Sequence, residues 1–319
     1  MKIAIACPGS AVRSSGNAIT AQRYARILRG LGHSILAKQE HADLLVALHA
    51  RKSAAAVRAF RRARPQGRIV LVLTGTDLHP RLDATGSARA ALKAADLLVV
   101  LEPLARSRLP AALRRKCVVI RQSCEDPVKE RRPVAGRILQ VGHLRAAKDP
   151  LLAARALRGL EGLKLVHLGG EWEAGWKRRV QSEMRRNPAY RWRGERSHSE
   201  VRRELARAWL FVQPSRIEGS SAALIEALCA GVGVLASRAT GNLGTLGGSH
   251  PGLFAMGDSA ALRRLMTRAL REPGFVARLE RFSRRIAVLH APVREVQAWQ
   301  RLLDRLQKKE PRGHRGRGG

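Results

Sequence analysis

The sequence predicts an α/β protein with two doubly wound domains, each built on a parallel sheet that helices cover on both faces. Short, entirely apolar segments alternate with helical segments as far as about residue 258, a pattern typical of buried parallel strands. The length of 319 residues suits two ordinary domains. Asp126, Pro127, a run of charges and Pro133 follow one another between residues 125 and 136, which indicates an interdomain linker.

These features predict an N-terminal domain over residues 1–133 and a C-terminal domain over residues 134–288. We expect residues 289–307 to form a C-terminal helix that packs back toward the N-terminal domain. Residues 308–319 are rich in arginine and glycine, a composition that predicts a disordered tail.

The elements of the N-terminal half follow from its apolar runs. A first strand at residues 3–6 precedes a loop of small residues at 8–16 and an amphipathic helix at 17–31 that ends near Gly32. Five more apolar runs, each too short for a helix, predict strands at residues 35–37, 44–48, 69–73, 97–101 and 118–120. Helices are expected between several of them, at residues 53–64 and 87–94.

The second half repeats this architecture without repeating the sequence. Strands are expected at residues 138–141, 163–168, 190–192, 210–212 and 234–236. Helices are expected at residues 150–156, 172–186 and 200–208, and the chain is expected to be helical from Ser259 onward.

The stretch from residue 216 to residue 237 predicts an anion site. Gly219, Ser220 and Ser221 form a loop of small residues after an apolar strand, and strong helix formers follow from Ala222 to residue 230. Gly231 suits the end of that helix. Free backbone N–H groups and the positive end of the helix dipole then meet at one spot, where a phosphate can bind.

Two carboxylates bracket this predicted phosphate site. Glu218 lies in the loop, and Glu226 lies about two helical turns further along. Because one carboxylate can accept two hydroxyl groups, the pair could bind two sugars on either side of a diphosphate. The alternative is a solvated Glu226 and a Glu218 that is only a loop charge, and the pattern alone does not decide between them.

Cations follow the first strand of the C-terminal half. The loop after residue 141 contains Gly142, His143, Arg145 and Lys148. Arg145 and Lys148 could both reach a diphosphate and neutralise the charge that grows on a leaving group. Without this position in the loop, they would be two more basic residues in a basic protein.

Three loops of the N-terminal half are candidate acceptor contacts. The loop after the first strand holds Arg13, Gly16 and Asn17, but it lacks the glycine spacing of a dinucleotide site. Thr76 and Asp77 follow the fourth strand and suggest sugar contact, although Asp77 could equally cap a helix.

The third of these loops follows the strand at residues 44–48. It contains His49, Arg51, Lys52 and Ser53, which could hold a small anion. A helix start with solvated charges is the favoured alternative for this segment.

Composition limits the possible function classes. The net charge of +35 would attract anions, including nucleic acid, but the charge is spread along the chain and aromatic residues make up only 4%. A nucleic-acid binder is therefore a minor alternative. The four scattered cysteines predict reduced thiols in a cytoplasmic protein without a zinc site. No apolar run is long enough to span a membrane.

The motifs resemble those of the retaining nucleotide-sugar glycosyltransferases of the GT-B fold. Glu218, seven intervening residues and Glu226 match the family's paired glutamates, and Gly142, Leu144 and Lys148 match its Gly-Arg-Leu-x-x-x-Lys segment. Gly16 and the Gly32–His33 pair match its N-terminal pattern. The resemblance spans roughly residues 1–305.

This resemblance implies an α/β GT-B fold, in which two doubly wound Rossmann-like domains face a central cleft. It implies that Glu218 contacts the donor sugar, that Glu226 contacts the nucleotide ribose, and that Lys148 holds the diphosphate. It also implies that no metal and no other cofactor is needed, the nucleotide sugar being a substrate.

Three departures from the family pattern narrow the resemblance. His143 stands where the family has arginine, so Arg145 is expected to supply the missing charge. Ser220 and Ser221 replace an aromatic-glycine pair. The N-terminal histidine expected near the fourth strand is replaced by the segment that contains Asp77, which argues against ordinary hydroxyl-acceptor chemistry.

These departures together resemble the selenosugar synthases of selenoneine biosynthesis. The resemblance lies in residues 49–53, 73–78, 141–150 and 215–219. It implies transfer of a sugar from a UDP-sugar, typically UDP-N-acetylglucosamine, to selenophosphate. Selenium is a soft nucleophile that needs little help from a base. The small anionic acceptor would meet cations such as Arg13, Arg51 and Lys52.

Two rival functions stay open at the level of sequence. One is an ordinary retaining glycosyltransferase with a lipid or metabolite acceptor, whose basic face could bind anionic lipid. The other is the nucleic-acid binder, which would bind DNA with steep salt dependence and would not bind UDP.

Overall fold

The computed structural model describes residues 1–8, 16–74, 77 and 86–308. The chain divides into two compact units. The first comprises Met1–Arg121 together with the chain from Val293 onward, and the second comprises Gln122–Pro292. The N-terminal stretch of the first unit ends at Arg121, and the segment from 121 to 136, which includes the predicted linker, contains neither helix nor strand. The domain boundary at residue 133 stays a prediction.

The first unit consists of short strands that alternate with helices. Its strands are β1 (Lys2–Ala6), β2 (Ser34–Leu36), β3 (Leu44–Leu48), β4 (Arg68–Leu73), β5 (Leu97–Val100) and β6 (Cys117–Val119). Its helices are α1 (Gly16–Gly30), α2 (Ala54–Ala63), α3 (Gly86–Ala94), α4 (Pro103–Ser107), α5 (Ala111–Arg114) and the C-terminal α13 (Pro292–Gln307).

All strand pairs of the first sheet are parallel, in the order β2-β1-β3-β4-β5-β6. Each residue of β3 is buried, as a strand covered on both faces requires. One core lies on each face: Phe60 packs in one, and Tyr24 and Trp299 pack in the other. The direction of winding reverses between β1 and β3, so the crevice at the carboxyl ends of these two strands is where this fold type binds ligands.

The second unit has the same construction. Its strands are β7 (Arg137–Val141), β8 (Lys164–Leu168), β9 (Tyr190–Trp192), β10 (Leu210–Gln213), β11 (Gly233–Ser237) and β12 (Leu253–Phe254). Its helices are α6 (Leu152–Leu157), α7 (Trp176–Arg186), α8 (His198–Arg207), α9 (Ala222–Cys229), α10 (Thr240–Leu246), α11 (Ser259–Arg271) and α12 (Pro273–Ala287).

The second sheet is also parallel, in the order β12-β11-β10-β7-β8-β9. Winding reverses between β7 and β10, which are direct neighbours. The loops that leave these two strands carry Lys148 and Glu218. The topology therefore brings the two most informative sequence motifs to the switch point, where doubly wound sheets bind their ligands.

Among the described residues, the predicted strands and long helices are confirmed within one or two residues, with two exceptions. The C-terminal helix expected from residue 289 begins at Pro292. The helix predicted to start at residue 172 starts at Trp176, because Gly175 before it adopts a left-handed φ of 86° that ends the preceding turn. Besides short 3₁₀ turns, the described part of the chain contains three short α-helices and one strand that were not predicted: α4, α5, α10 and β12.

The C-terminal helix α13 belongs to the first unit. Trp299 is fully buried and packs edge-to-face against Tyr24 of α1, with ring centroids 4.7 Å apart. Arg23 of α1 forms a buried ion pair with Glu295, with Nε and Oε2 3.1 Å apart. Apart from Lys308, the predicted tail lies outside the described residues.

Candidate functional site

An ion pair joins the two loops at the switch point of the second sheet. Lys148 follows β7, Glu218 follows β10, and the Lys148 ammonium contacts the Glu218 carboxylate. The lysine side chain is 16% exposed and the glutamate 8%. The structure thus brings together the two residues that the sequence analysis placed in one site, and their charges are largely shielded from solvent.

Two further donors act on the same Glu218 oxygen. Gln213 Nε2 lies 3.0 Å from Glu218 Oε2, and Ser215 Oγ lies 3.1 Å from it. Neither residue was among the predicted site residues. The signal was present in the sequence, because Gln213 is a polar residue at the end of an otherwise apolar strand.

Asp149 ties the two loops together from the other side. Its φ is 42°, a left-handed conformation that is unusual for a residue with a side chain. Its carboxylate accepts a hydrogen bond from Arg216 Nε at 2.8 Å and pairs with Arg155 at 3.3 Å. The backbone N–H of Arg216 also donates to the carbonyl of Ala147, at 2.9 Å. The positions of Lys148 and Glu218 are therefore fixed by backbone and side-chain contacts on either side of the pair.

Gly142 begins the Lys148 loop. His167 of β8 is fully buried, and burial lowers the pKa of its imidazole to about 4, so the ring is neutral at pH 7. Its Nε2–H donates to the Gly142 carbonyl at 3.0 Å, and its Nδ1 accepts from the hydroxyl of Tyr190 at 2.9 Å. A Cβ on Gly169 would lie 2.1 Å from the same Gly142 carbonyl oxygen. The loop is thus anchored where Gly142 leaves the sheet.

His143 and Arg145 lie further along this loop. Burial holds the pKa of His143 below its usual range, and the charges of Arg145 and Lys148 lower it further. His143 therefore brings no positive charge at neutral pH, and its ring lies 5.2 Å from that of Trp172, which is half exposed. Arg145 directly precedes the single 3₁₀ turn that ends at Lys148. The expectation that Arg145 supplies the charge missing at position 143 stays a prediction.

The start of α9 has the geometry expected of an anion site. Ser221 is the N-cap, and its Oγ accepts a hydrogen bond from the backbone N–H of Leu224 at 3.3 Å. The N–H groups of Ala222 and Ala223 have no acceptor among the described residues, as is usual in a first helical turn. The Ser221 hydroxyl, predicted to bind the donor, thus also caps the helix.

The Glu218–Gly219 backbone is packed against α10. A Cβ on Gly241 would lie 2.2 Å from the carbonyl oxygen of Gly219, and the N–H of Gly241 donates to the carbonyl of Glu218 at 3.0 Å. Ser220 accepts a long hydrogen bond from Gln122, at 3.4 Å. This loop is therefore held by its backbone and is more rigid than its small residues suggest.

Glu226 lies in α9 and has its own partner. Its Oε1 is 3.3 Å from Nε2 of His198, the first residue of α8, and this contact raises the pKa of His198. The glutamate side chain is 23% exposed and makes no hydrogen bond with Glu218. His198 was not predicted as part of the site.

In the first unit, Asp77 is buried and cross-links the loops after β3 and β4. Its Oδ2 accepts hydrogen bonds from the backbone N–H groups of Ala50 and Thr74, at 3.1 and 3.0 Å. Its Oδ1 lies 2.7 Å from Nδ1 of His49. The departure inferred from the sequence stays a prediction, and the structure adds that His49, which follows β3, lies beside Asp77.

The structure describes some of the predicted acceptor contacts and not others. Arg51 and Lys52 lie in the exposed turn that follows His49, and the backbone N–H of Lys52 is 3.4 Å from His49 Nδ1. Gly16 and Asn17 begin α1. Arg13 and Thr76 lie outside the described residues.

No group of three or more His, Cys, Asp or Glu side chains that could hold a metal ion occurs in the part of the chain that the structure describes. Within the same residues, no helix combines the length and apolarity that a membrane span needs.

Solved structures share this architecture over almost the whole chain. They include HepE from Anabaena in complex with UDP, which is 14% identical, with 97% of this chain and 100% of that chain covered and a TM-score of 0.78. Sucrose-phosphate synthase from Thermosynechococcus elongatus is 16% identical, with 96% and 98% covered and a TM-score of 0.76. A glycosyltransferase from Rickettsia africae is 13% identical, with 97% and 99% covered and a TM-score of 0.75.

The predicted α/β GT-B fold is confirmed by these likenesses. No curated protein is significantly similar to the chain in sequence. The family model described as "Glycosyl transferases group 1" matches residues 125–286, just over half of the 319-residue chain. The match includes both the Lys148 loop and the segment from Glu218 to Glu226. The protein therefore belongs to the family of glycosyl transferases group 1.

Proposed function

We propose that the protein transfers a sugar from a UDP-sugar to selenophosphate and so makes a 1-seleno sugar. The proposed donor is UDP-N-acetylglucosamine, and the proposed pathway is selenoneine biosynthesis. The observation that carries the donor half is the shielded Lys148–Glu218 pair at the switch point of the second sheet. A UDP donor is supported by the shared fold, since HepE of that fold binds UDP. The acceptor half is supported by the sequence resemblance.

The donor contacts divide between charge and hydroxyl recognition. Lys148, Arg145 and the N–H groups at the start of α9 would stabilise the negative charge on the departing UDP. Glu218 would accept hydroxyl groups of the sugar, and Glu226 those of the ribose. These contacts use protein groups alone, and a metal ion is not required by them.

The acceptor chemistry balances simply. Selenium attacks the anomeric carbon, the bond from that carbon to the UDP oxygen breaks, and UDP leaves with the electron pair. Water then cleaves the phosphorus–selenium bond and releases phosphate and the seleno sugar. Because selenium ionises easily, it needs less base assistance than an alcohol. The cations Arg51 and Lys52 beside His49 suit an anionic acceptor.

Product analysis tests this function directly. The protein is mixed with UDP-N-acetylglucosamine, with and without selenophosphate, and the products are identified by mass spectrometry. We expect UDP and a selenium-containing sugar only when selenophosphate is present. Donor consumption without a selenium product would remove the selenophosphate proposal and leave the glycosyltransferase assignment intact.

The Glu218 assignment makes a separate prediction. Glu218→Gln keeps the shape of the side chain but loses the charge that faces Lys148, so turnover should fall at least 100-fold, as when a charge-stabilising group is removed. Glu226→Ala should mainly weaken donor binding, raising KM more than it lowers kcat. Steady-state kinetics on the UDP-sugar measure both.

A matched control is Glu272→Gln, since Glu272 caps the end of α11 and pairs with Arg268 on the surface. Its kinetics should equal those of the wild type. Full activity of Glu218→Gln would show that the central assignment is wrong.

A hydroxyl acceptor is the second candidate, and the Asp77–His49 pair favours it, because a carboxylate-oriented imidazole is a common general base. Transfer to lipid would need a membrane surface, so added anionic liposomes separate the cases. The selenophosphate proposal predicts that liposomes leave the rate unchanged.

A further inference from the structure

A network of buried polar side chains lies directly beneath Glu218. Gln213 ends β10, Ser215 follows it, Ser237 ends β11, and Asn242 lies in α10. Each of these four residues is at most 1% exposed. Burying four polar side chains in a protein core costs folding free energy unless they form hydrogen bonds. Such a cluster is therefore expected to have a function.

The proton positions in this network follow from its partners. Asn242 Nδ2 lies 3.1 Å from the Ser237 carbonyl and 3.1 Å from Ser237 Oγ, so its amide nitrogen must face Ser237. Ser237 Oγ therefore accepts from Asn242 and donates its own proton to the carbonyl of Ser215. Gln213 Nε2 donates to Ser215 Oγ at 2.9 Å, which leaves the Ser215 proton for Glu218.

The donors of Gln213 and Ser215 thus converge on one atom, Glu218 Oε2, while the chain from Asn242 through Ser237 ends on the backbone carbonyl of Ser215. The two N–H bonds of the Gln213 amide are divided between Ser215 and that oxygen, which lies 3.0 Å away. The side-chain amide oxygens of Gln213 and Asn242 have no donor within the described part of the chain. Both amides therefore take part in the network as donors only, and a flipped amide would place oxygen against oxygen.

We infer that Gln213 and Ser215 are positioning residues, which hold Glu218 by Oε2 as a carboxylate and leave Oε1 as the oxygen that receives the donor sugar. Asn242 acts one step back, by holding Ser237 against Ser215. The inference rests on the proposed role of Glu218 in donor recognition.

The chemistry of the carboxylate explains why such a network would matter for transfer. An unrestrained glutamate can rotate and present either oxygen to the sugar. Two directed donors and the Lys148 ammonium on one oxygen remove that freedom. The oxygen that remains is fixed before the donor arrives, which is the form of preorganisation that lowers a barrier without tightening ground-state binding.

The first test removes one donor. Ser215→Ala should lower kcat for donor consumption roughly 10- to 100-fold, the range found when a group that orients a site residue is lost, while KM for the UDP-sugar changes less than threefold. Ser215→Thr keeps the hydroxyl and should restore most of kcat. Ser283→Ala is the matched control, because Ser283 is an equally buried serine whose hydroxyl bonds to the Val232 carbonyl, away from the network.

The second test reverses the direction of a donor. In Gln213→Glu, two carboxylates face each other at neutral pH, and their repulsion should displace Glu218 and reduce turnover. At lower pH the new carboxyl group keeps a proton and can donate it to Oε2 in place of the amide. Activity relative to the wild type should therefore rise at least tenfold as pH is lowered from about 8 to about 5.5. Asn187→Asp, a buried amide that contacts Ala154 and Glu183 instead, should show no such rise.

The outcomes distinguish a failure of the proposed function from a failure of the positioning role of Gln213 and Ser215. Wild-type protein that consumes no UDP-sugar overturns the proposed function, and the inference falls with it. An active wild type, with Ser215→Ala at the wild-type kcat and Gln213→Glu at the wild-type pH profile, overturns the inference alone. If Ser215→Ala does not fold, the decision passes to the pH profile of Gln213→Glu, which changes no side-chain size.

Discussion

His49, in the first unit, has a strained backbone conformation that its neighbours enforce. Its φ of 73° is left-handed, and among the described residues only His49 and Asp149 combine a positive φ with a side chain. Such strain costs of order 1 kcal/mol or more and persists where the surroundings enforce it, often at functional sites. Here the surroundings are Asp77 at 2.7 Å and the Val72 carbonyl, which accepts from the His49 N–H at 2.9 Å.

The Asp77 carboxylate sets the tautomer of this imidazole. Because Oδ1 accepts from Nδ1, the proton lies on Nδ1 of His49. In Asp77→Asn the single amide oxygen would be needed by the N–H groups of Ala50 and Thr74, so the amide nitrogen would face Nδ1 and force the proton to Nε2. With a hydroxyl acceptor, for which His49 would act as the general base, we expect transfer to fall at least tenfold while binding of the UDP-sugar stays within a factor of two. With selenophosphate, which needs less base assistance, the fall should be smaller.

Acceptor-dependent kinetics and donor titration calorimetry measure these two effects. Asp43→Asn is the control in the same unit, since the Asp43 side chain is 47% exposed and pairs with Arg64 on the surface. Equal losses in donor binding and acceptor transfer would contradict a role of His49 confined to the acceptor.

Only half of this pair is predictable from the sequence. Asp77 was predicted because a carboxylate at a strand end is visible in one segment. His49 was noticed only as part of a possible anion loop, because nothing local reveals that it meets a residue 28 positions away. The same reason explains why the sequence does not predict Gln213, Ser215 and Asn242. Their proposed function depends on Glu218, which they reach only in the folded chain.

Among the elements, β7 precedes the Gly142 loop, and His167 of the neighbouring strand β8 holds that loop by a hydrogen bond. The stability that His167 provides depends on pH. The folded pKa of His167 is about 4, below the value of 6.5 of an unburied histidine. The unfolded chain therefore binds more protons between these values. The stability that the neutral ring provides is present above pH 6.5 and is lost as pH falls toward 4, at up to about 1.4 kcal/mol per pH unit.

We therefore expect His167→Gln to be less stable than the wild type at pH 7.5 and to lose less stability on acidification. Urea unfolding at pH 7.5 and pH 5 measures this difference. His198→Gln is the control, because Glu226 raises the pKa of His198, and its contribution has the opposite sign. An unchanged pH dependence in His167→Gln would show that the ring is not buried as a neutral group.

Elements were predictable in proportion to their length and apolarity. β3 and β4 are continuous apolar runs and were predicted almost to the residue. α10 contains two glycines in seven residues and has no helical period, and β12 has only two residues. α10 exists because Gly241 packs on the Glu218 loop, which is a tertiary cause that local sequence cannot express.

The whole molecule carries a large excess of positive charge. Lysine and arginine outnumber aspartate and glutamate by 60 to 25, and many of the acidic groups are taken up in ion pairs such as Arg158–Glu183 and Arg137–Glu204. Two surface cavities of about 460 and 520 Å³ are lined largely by arginine. This field would draw in anionic substrates as well as nucleic acid, so weak DNA binding alone would not oppose the enzyme assignment.

The chain path makes the C-terminus part of the first unit. Helix α13 returns after the second unit and supplies Trp299, Leu302 and Leu303 to the core that also contains Tyr24. The first unit therefore completes its core only after the second unit has been synthesised. Its stability should depend on a residue that is far from the rest of that unit in sequence.

Trp299→Ala tests this dependence. The side chain is fully buried, so its removal should lower the free energy of unfolding by about 3–5 kcal/mol. Trp172→Ala, at a site that is 49% exposed, should cost less than about 1 kcal/mol. Urea unfolding followed by circular dichroism measures both, and UDP binding shows which unit is affected. Because the proposed donor residues lie in the second unit, Trp299→Ala should still bind UDP at urea concentrations where the first unit has begun to unfold. Simultaneous loss of UDP binding would show instead that the two units unfold together.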